Sequence, residues 1–477
     1  MFDQGDSTSG REFDKLIEKK MKRRDLLLKA LKNETTPRPG WVPFVGVHGG
    51  KMIGQPADAY LHSADLIVQG MRKANELYIP DGLPVVFDLQ LEAEILGCEL
   101  RWSESTPPGV ISHPLDHGRS LAALPVFDAA KGRFPIVMEA LRALKKDIGG
   151  ETALYGLLCG PFTLALHLMG NDIFLQMFDH PDYVMDVIGF CASVGQKVAR
   201  AYIENGADVI AVVDPMTSQI SRDHFEQFVT PAANQIFDFV RDRGALSSLF
   251  VCGDATRNLE AMARTDCDNV SIDENIALER IRDYTRGQGK SFGGNLKLTS
   301  VLLLGDEEDA MLDAIRCIDI GGSCGFVLAP GCDLPYHTPE KNLMAVATMV
   351  HDAYRREVAK RTIVAKTTAQ AAAMPLPDYA ALPHVSVDVI TLDSSSCAPC
   401  QYMMEAVHRA AKQLSRPVVV KEHRIATREG LSLMSRLGVK NIPTICLDGE
   451  VAFVSIIPDQ NTLVAAIEAK IAAKNKR

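Results

Sequence analysis

Eight short apolar segments, each bounded by turn residues and most separated by amphipathic stretches of helix length, constrain the fold of this chain more than any other feature. They are Trp41–Val47, Pro84–Phe87, Ala153–Cys159, Asp208–Val213, Leu246–Cys252, Asn269–Ile272, Ser291–Gly294 and Gly325–Leu328. Helical periodicity over Pro181–Glu204, Arg222–Arg243 and Glu307–Ile318 fills gaps between them. This alternation predicts an α/β fold, a (β/α)8 TIM barrel. A doubly wound open sheet is the alternative, but no Gly-x-Gly-x-x-Gly follows any segment. Ahead of the barrel, residues 1–12 are polar and expected to be flexible, and Phe13 to about Asn33 reads as a helix stopped by Thr36-Pro-Arg-Pro-Gly40.

In a barrel the residues just past each strand converge on one mouth, here His48, Asp88, Gly160, Asp214, Cys252, Asp273, Asn295 and Cys332. Strand alternation puts Phe250 and Cys252 on one side of their strand. Asp88 and Asp214 suit general acid/base work or a substrate cation, with loop capping as the structural alternative, and His48 and Asn295 suit substrate binding.

Composition excludes several classes. A net charge of −9 without a long basic stretch argues against nucleic acid as a partner. The eleven cysteines are scattered rather than framed for disulfides, the start has no basic-then-apolar signal, and no apolar run reaches about 18 residues. A cytoplasmic protein with no membrane partner is expected.

The barrel domain is expected over residues 1–361, followed by an alanine- and proline-rich linker at 362–384 and a second, smaller domain at 385–477. That last stretch reads as Val385–Thr391 strand, Cys397–Leu414 helix, Pro417–Glu422 strand, Arg428–Leu437 helix, strands Thr444–Leu447 and Val451–Ile456 split by Asp448-Gly449, and helix Asn461–Lys474. With Cys397-Ala-Pro-Cys400 at the first strand-to-helix junction, it resembles the thioredoxin/glutaredoxin family. The resemblance implies that Cys397, at a helix N-terminus that favours thiolate, is a nucleophile and Cys400 resolves the mixed disulfide. Asn441-Ile-Pro-Thr444 matches the family's cis-proline loop, which puts Pro443 beside Cys397; Ser394-Ser-Ser396 stands where the family carries a Trp. A thiol–disulfide exchange partner follows, and a structural zinc pair is the alternative for the two cysteines.

Phe87-Asp-Leu-Gln-Leu-Glu-Ala-Glu-Ile-Leu-Gly97, Gly160-Pro-Phe-Thr163, Ala207–Pro215, Gly294-Asn295 and Ala329-Pro-Gly-Cys-Asp-Leu-Pro335 together resemble the uroporphyrinogen decarboxylase superfamily. Within it they resemble the corrinoid-dependent methyltransferase branch. The resemblance covers roughly residues 14–355 and implies the barrel fold. In the decarboxylases an early loop holds tetrapyrrole carboxylates with arginines and an Asp at the position of Asp88 stabilises the intermediate; the loop Val47–Gly54 has no arginine. In the methyltransferases that act on thiols, zinc is held by a His-x-Cys and by the Cys of Pro-Gly-Cys. Cys252 and Cys332 match two ligands and Phe250 stands at the His position. The third ligand stays open, Asp254 or His337 first, then Asp333, Asp214 and His48.

The implied function is methyl transfer between a corrinoid and a small, thiol substrate. The chain has no Asp-x-His-x-x-Gly, so a partner corrinoid protein would bring the methylcobamide. Two other readings stay open: a decarboxylase lyase acting on a tetrapyrrole, and a non-catalytic corrinoid or redox partner protein working through Cys397 and Cys400. A disulfide between Cys252 and Cys332, reduced by the second domain, would give the tethered module its purpose.

Overall fold

A run of apolar residues without polar alternation suits a strand covered on both faces, and Ala153–Cys159 is such a run, with all seven residues buried. It is one of eight parallel strands: β1 (Gly40–Trp41), β2 (Gly82–Pro84), β3 (Ala153–Cys159), β4 (Val209–Val213), β5 (Leu246–Val251), β6 (Asn269–Ile272), β7 (Ser291–Leu296) and β8 (Phe326–Pro330). Their order is β1-β8-β7-β6-β5-β4-β3-β2, a nearly closed barrel with helices outside. The computed structural model describes residues 21–363, 376–394, 397–439 and 441–475. The expected flexible start, the first part of the first predicted helix, the centre of the predicted linker and Ser395-Ser396 therefore lie outside the described residues; Arg23–Leu31 of that helix is helical.

The first two strands are shorter and begin earlier than predicted. Pro43 has no N–H to give, and pairing after Trp41 is reduced to Val42 N–H donating to the Leu328 carbonyl at 3.0 Å. Among the described residues no ladder joins β1 to β2. A carboxylate bridges the gap instead. Asp81 accepts from both guanidinium nitrogens of Arg38 at 2.6 and 2.8 Å and from Trp41 N–H at 2.8 Å, while its own N–H donates to the Trp41 carbonyl at 2.9 Å. Arg38 and Asp81 are buried, so each is tolerable there only because the other is present.

Inside the barrel four aromatic rings stack below the mouth. Phe44 lies 4.8 Å from Phe250 and 6.1 Å from both Phe87 and Tyr155, ring centre to ring centre, and Phe87 meets Phe250 edge-on at 6.0 Å.

A separate four-stranded sheet follows, β9 (Ser386–Thr391), β10 (Val419–Arg424), β11 (Thr444–Leu447) and β12 (Glu450–Val454), in the order β10-β9-β11-β12. β9 runs parallel to β10 and antiparallel to β11. The β11–β12 turn has positive φ at both Asp448 (49°) and Gly449 (80°), the conformation that Asp-Gly favours in a two-residue hairpin. Helices α2 (Ala398–Ala411) and α4 (Gln460–Asn475) cover one face through Met403, Val407, Leu463 and Ile467, and α3 (Arg428–Arg436) covers the other through Leu433. Strand and helix order match the sequence expectation. Among the described residues no helix is long and apolar enough to cross a membrane.

Candidate functional site

Cys252 follows β5 and Cys332 follows β8, and the two thiols share a hydrogen bond at the barrel mouth. The chain can turn at once after Cys252 because Gly253 takes φ 88°, where a side chain would be strained and a Cβ would come within 2.8 Å of Ser218 Oγ. Gly253 N–H donates to Asp273 at 2.8 Å, which fixes the turn against the end of β6. Cys252 is buried and Cys332 half-buried. Burial, then the neighbouring thiol, pushes the Cys252 thiol well above its ordinary range.

Both sulfurs line a cavity of about 310 Å³. Its described lining holds four carboxyl side chains, Asp273, Glu274, Asp333 and Asp393, and neither Lys nor Arg. Burial, reinforced by Asp273, raises Glu274 to about 8, so it carries a proton at neutral pH, and burial raises Asp333 well above its ordinary value.

Phe250, at the expected His position, is fully buried in the aromatic stack under Cys252. A phenyl ring donates no lone pair. Asp254 is turned away to accept from Thr256 N–H at 3.1 Å and from Asn441 Nδ2 at 2.6 Å. His337 lines the cavity with its ring against Tyr336. Among the described residues no three His, Cys, Asp or Glu side chains converge as metal ligands. Two thiols without a third donor beside them do not fit a zinc ion.

The other expected site residues stand behind the cavity wall, outside its lining. Asp88 is buried against Arg133 Nη1 and accepts Gln90 N–H at 2.9 Å. Asp214 receives Thr163 N–H at 2.8 Å, Thr163 Oγ1–H at 2.6 Å and Phe162 N–H at 3.2 Å, capping helix α1 (Pro161–Met169), which precedes α2 in the chain. Burial raises Asp214 to about 6 against those bonds. His48 Nδ1 lies 3.1 Å from the Tyr336 carbonyl and Nε2 2.8 Å from the Tyr78 hydroxyl. A carbonyl only accepts, so the ring proton sits on Nδ1 and Tyr78 donates to Nε2; burial lowers His48 to about 4. Asn295 spends its amide N–H groups on the Ile276 and Asp273 carbonyls at 2.6 and 3.1 Å.

The second wall comes from the C-terminal sheet. Cys397, Pro399, Ile442 and Pro443 line the same cavity, Cys397 and Cys400 are joined as a disulfide with Cα atoms 5.2 Å apart, and the Ile442–Pro443 peptide is cis. Cys397 is half-buried; Cys400 is buried, its sulfur accepting Leu392 N–H at 3.4 Å. Tyr402 is buried among barrel residues with its hydroxyl 3.1 Å from His167 Nδ1, and Gln401 Nε2 donates to the Val110 carbonyl at 2.6 Å.

Sequence reasoning did not single out Arg133, His167, Tyr402 or Glu274. Arg133 also bonds Glu94 at 2.9 Å and lies 4.6 Å over the Trp102 ring, so it organises a buried cluster from three separate stretches. Burial lowers His167 to about 3. Only Tyr402 left a trace, as an aromatic residue two places beyond the dithiol.

Comparison with known proteins agrees with this architecture. The family model described as Uroporphyrinogen decarboxylase (URO-D) matches residues 22–353. The methylcobamide:CoM methyltransferase MtbA of Methanosarcina acetivorans is 29% identical over 266 residues, 55% of this chain and 77% of that protein. The uroporphyrinogen decarboxylase of Carboxydothermus hydrogenoformans is 23% identical over 347 residues, 69% of this chain and 96% of that one. A solved methyltransferase from Methanosarcina mazei superposes with TM-score 0.65 at 24% identity, covering 70% of this chain and all of its own, which establishes a shared fold. The chain belongs to the uroporphyrinogen decarboxylase (URO-D) family.

Proposed function

We propose that the chain is a methyltransferase that moves a methyl group between a corrinoid carried by a partner protein and a small thiol. In this reading residues 1–361 form the catalytic domain, 362–384 a linker and 385–477 a thioredoxin-like dithiol module, in a cytoplasmic protein. The observation that carries the reading is the cavity at the barrel mouth, which joins two thiols with a wall free of Lys and Arg among the described residues. A tetrapyrrole with many carboxylates needs cations to hold it. Here it would face carboxyl groups instead, in about 310 Å³, near the lower end of small-molecule sites. The same wall favours an uncharged or cationic thiol over an anionic one. His337 and Asp333 border the space where the thiol would sit and give it polar contacts. The relatives named as methylcobamide:CoM methyltransferases support methyl transfer, and the nine free cysteines, seven of them buried, support a reducing compartment.

The test is loss of the cobalt–carbon absorbance of free methylcobalamin in the presence of the purified protein and either 2-mercaptoethanol or 2-mercaptoethanesulfonate. Faster demethylation with the uncharged thiol, reduced in Cys332→Ser, is expected. Carbon dioxide release from uroporphyrinogen, with no demethylation, would establish the decarboxylase instead.

A further inference from the structure

Three cysteines from the barrel and the C-terminal sheet line one cavity, and a fourth lies just behind it. Cys252 and Cys332 are hydrogen-bonded to each other on the barrel side, and Cys397 faces them across the cavity with Cys400 behind it. The arrangement is fastened on both sides of the dithiol. Tyr402, two residues past Cys400, is buried in the barrel core. Asn441, two residues before Pro443, is bonded at 2.6 Å to Asp254, two residues past Cys252. A docking that pins both flanks of one thiol pair beside the other gives them a high effective concentration.

We propose that Cys252 and Cys332 form a disulfide on oxidation and that the Cys397/Cys400 dithiol reduces it within the same chain. This rests on reading Cys397 and Cys400 as a redox-active pair. A two-electron thiol oxidant takes two electrons and two protons from the barrel thiols and joins their sulfurs. The Cys397 thiolate then attacks the Cys332 sulfur, the more accessible of the two; the barrel S–S bond breaks and its electron pair leaves on Cys252, which takes a proton. Cys400, as thiolate, attacks Cys397 and releases Cys332, which is protonated in turn. Two electrons and two protons have moved to the barrel pair, and an external dithiol resets Cys397–Cys400. Cys397 and Cys400 are paired as a disulfide, while Cys252 and Cys332 are free. The relay keeps the barrel thiols reduced in a cavity walled by both sheets.

The experiment uses the full chain, reduced with dithiothreitol, freed of it, treated with stoichiometric diamide, and then acid-quenched, alkylated and mapped by mass spectrometry. In the wild type the disulfide is expected to end on Cys397–Cys400. In Cys397→Ser it should remain on Cys252–Cys332. Cys400→Ser should accumulate a Cys397–Cys332 cross-link whose yield does not fall on dilution. Free barrel thiols in oxidised Cys397→Ser, or Cys397 of Cys400→Ser joined only to another chain, would overturn the relay. If Cys397–Cys400 of the wild type still cycles with dithiothreitol, the relay alone fails; if it does not cycle, the dithiol reading fails with it.

Discussion

Asn441 donates to the Asp254 carboxylate at 2.6 Å, and this bond ties the loop of Pro443 to the turn that follows Cys252. It spans 187 residues of sequence and needs both sheets in place. Removing the donor should loosen the wall of the cavity without touching either core.

Asn441→Ala is therefore expected to weaken docking by at most about 1.5–3 kcal/mol, the range for a hydrogen bond to a charged group, with solvent reducing it because the pair is half-buried. Hydrogen exchange reads this directly. Faster exchange around residues 253–256 and 441–444, with β3 and β4 unchanged, is the expected pattern; unchanged exchange in those loops would mean that the contacts of α2 with the barrel, Tyr402 and Gln401 among them, hold the two sheets together without it.

Phe250→His tests why the chain lacks the expected metal ligand. Breaking the aromatic stack should cost roughly 3 kcal/mol in urea, as for loss of a large buried aromatic. Added zinc should recover part of that loss, since the imidazole would join Cys252 and Cys332 as a third donor. The parent protein should gain no stability from zinc under the same conditions.

Glu92 makes the pH dependence legible. It is fully buried, accepts Cys159 N–H at 3.1 Å through Oε1, leaves Oε2 without a partner, and is raised to about 8 by burial. A carboxyl raised on folding binds its proton more tightly in the native state, so its contribution is whole below pH 4.5 and is lost as pH rises through about 8. Glu92→Gln, which copies the protonated acid, should remove that loss. The wild type should fall relative to the variant by up to about 1.4 kcal/mol per pH unit across that window, measured by urea unfolding at several pH values.

Arg133→Ala would leave Asp88 buried without its cation, at a cost of about 3–5 kcal/mol. Arg133→Lys should recover only part, because an ammonium cannot reach Asp88 and Glu94 together while lying flat over Trp102. Unfolding midpoints of the two variants decide this. Equal midpoints would show that charge, and not the guanidinium plane, holds the cluster.

The strands that were legible in sequence are those whose signal is local. Ala153–Cys159 and Asn269–Ile272 are apolar runs with turn residues at each end, and their observed bounds match the reading. β1 and β2 were misplaced because their bounds are set by Asp81 reaching across to Arg38 and Trp41, a side-chain contact with no periodicity. Mouth residues divided for a similar reason. Position after a strand located Cys252, Cys332 and Asp273 in the cavity, yet it could not reveal that Asp214 caps α1, that His48 has both nitrogens occupied, or that Asp88 is neutralised by a residue 45 positions away. Cys397 was legible as a motif; what it faces was not, since that depends on a docking between separate sheets.

The unlaced stretch between β1 and β2 has one more consequence. The Arg38–Asp81 bridge lies where the two strands begin, at the floor of the barrel, while above it the walls touch through the rings of Phe44 and Phe87. Val47 and Phe87, which border the cavity, sit at the top of that same gap. Every other pair of neighbouring strands would have to break backbone bonds to move apart. Between β1 and β2 a single backbone bond, from Asp81 N–H to the Trp41 carbonyl, stands at the floor in place of a ladder, so this is the side of the cavity held by the fewest backbone bonds.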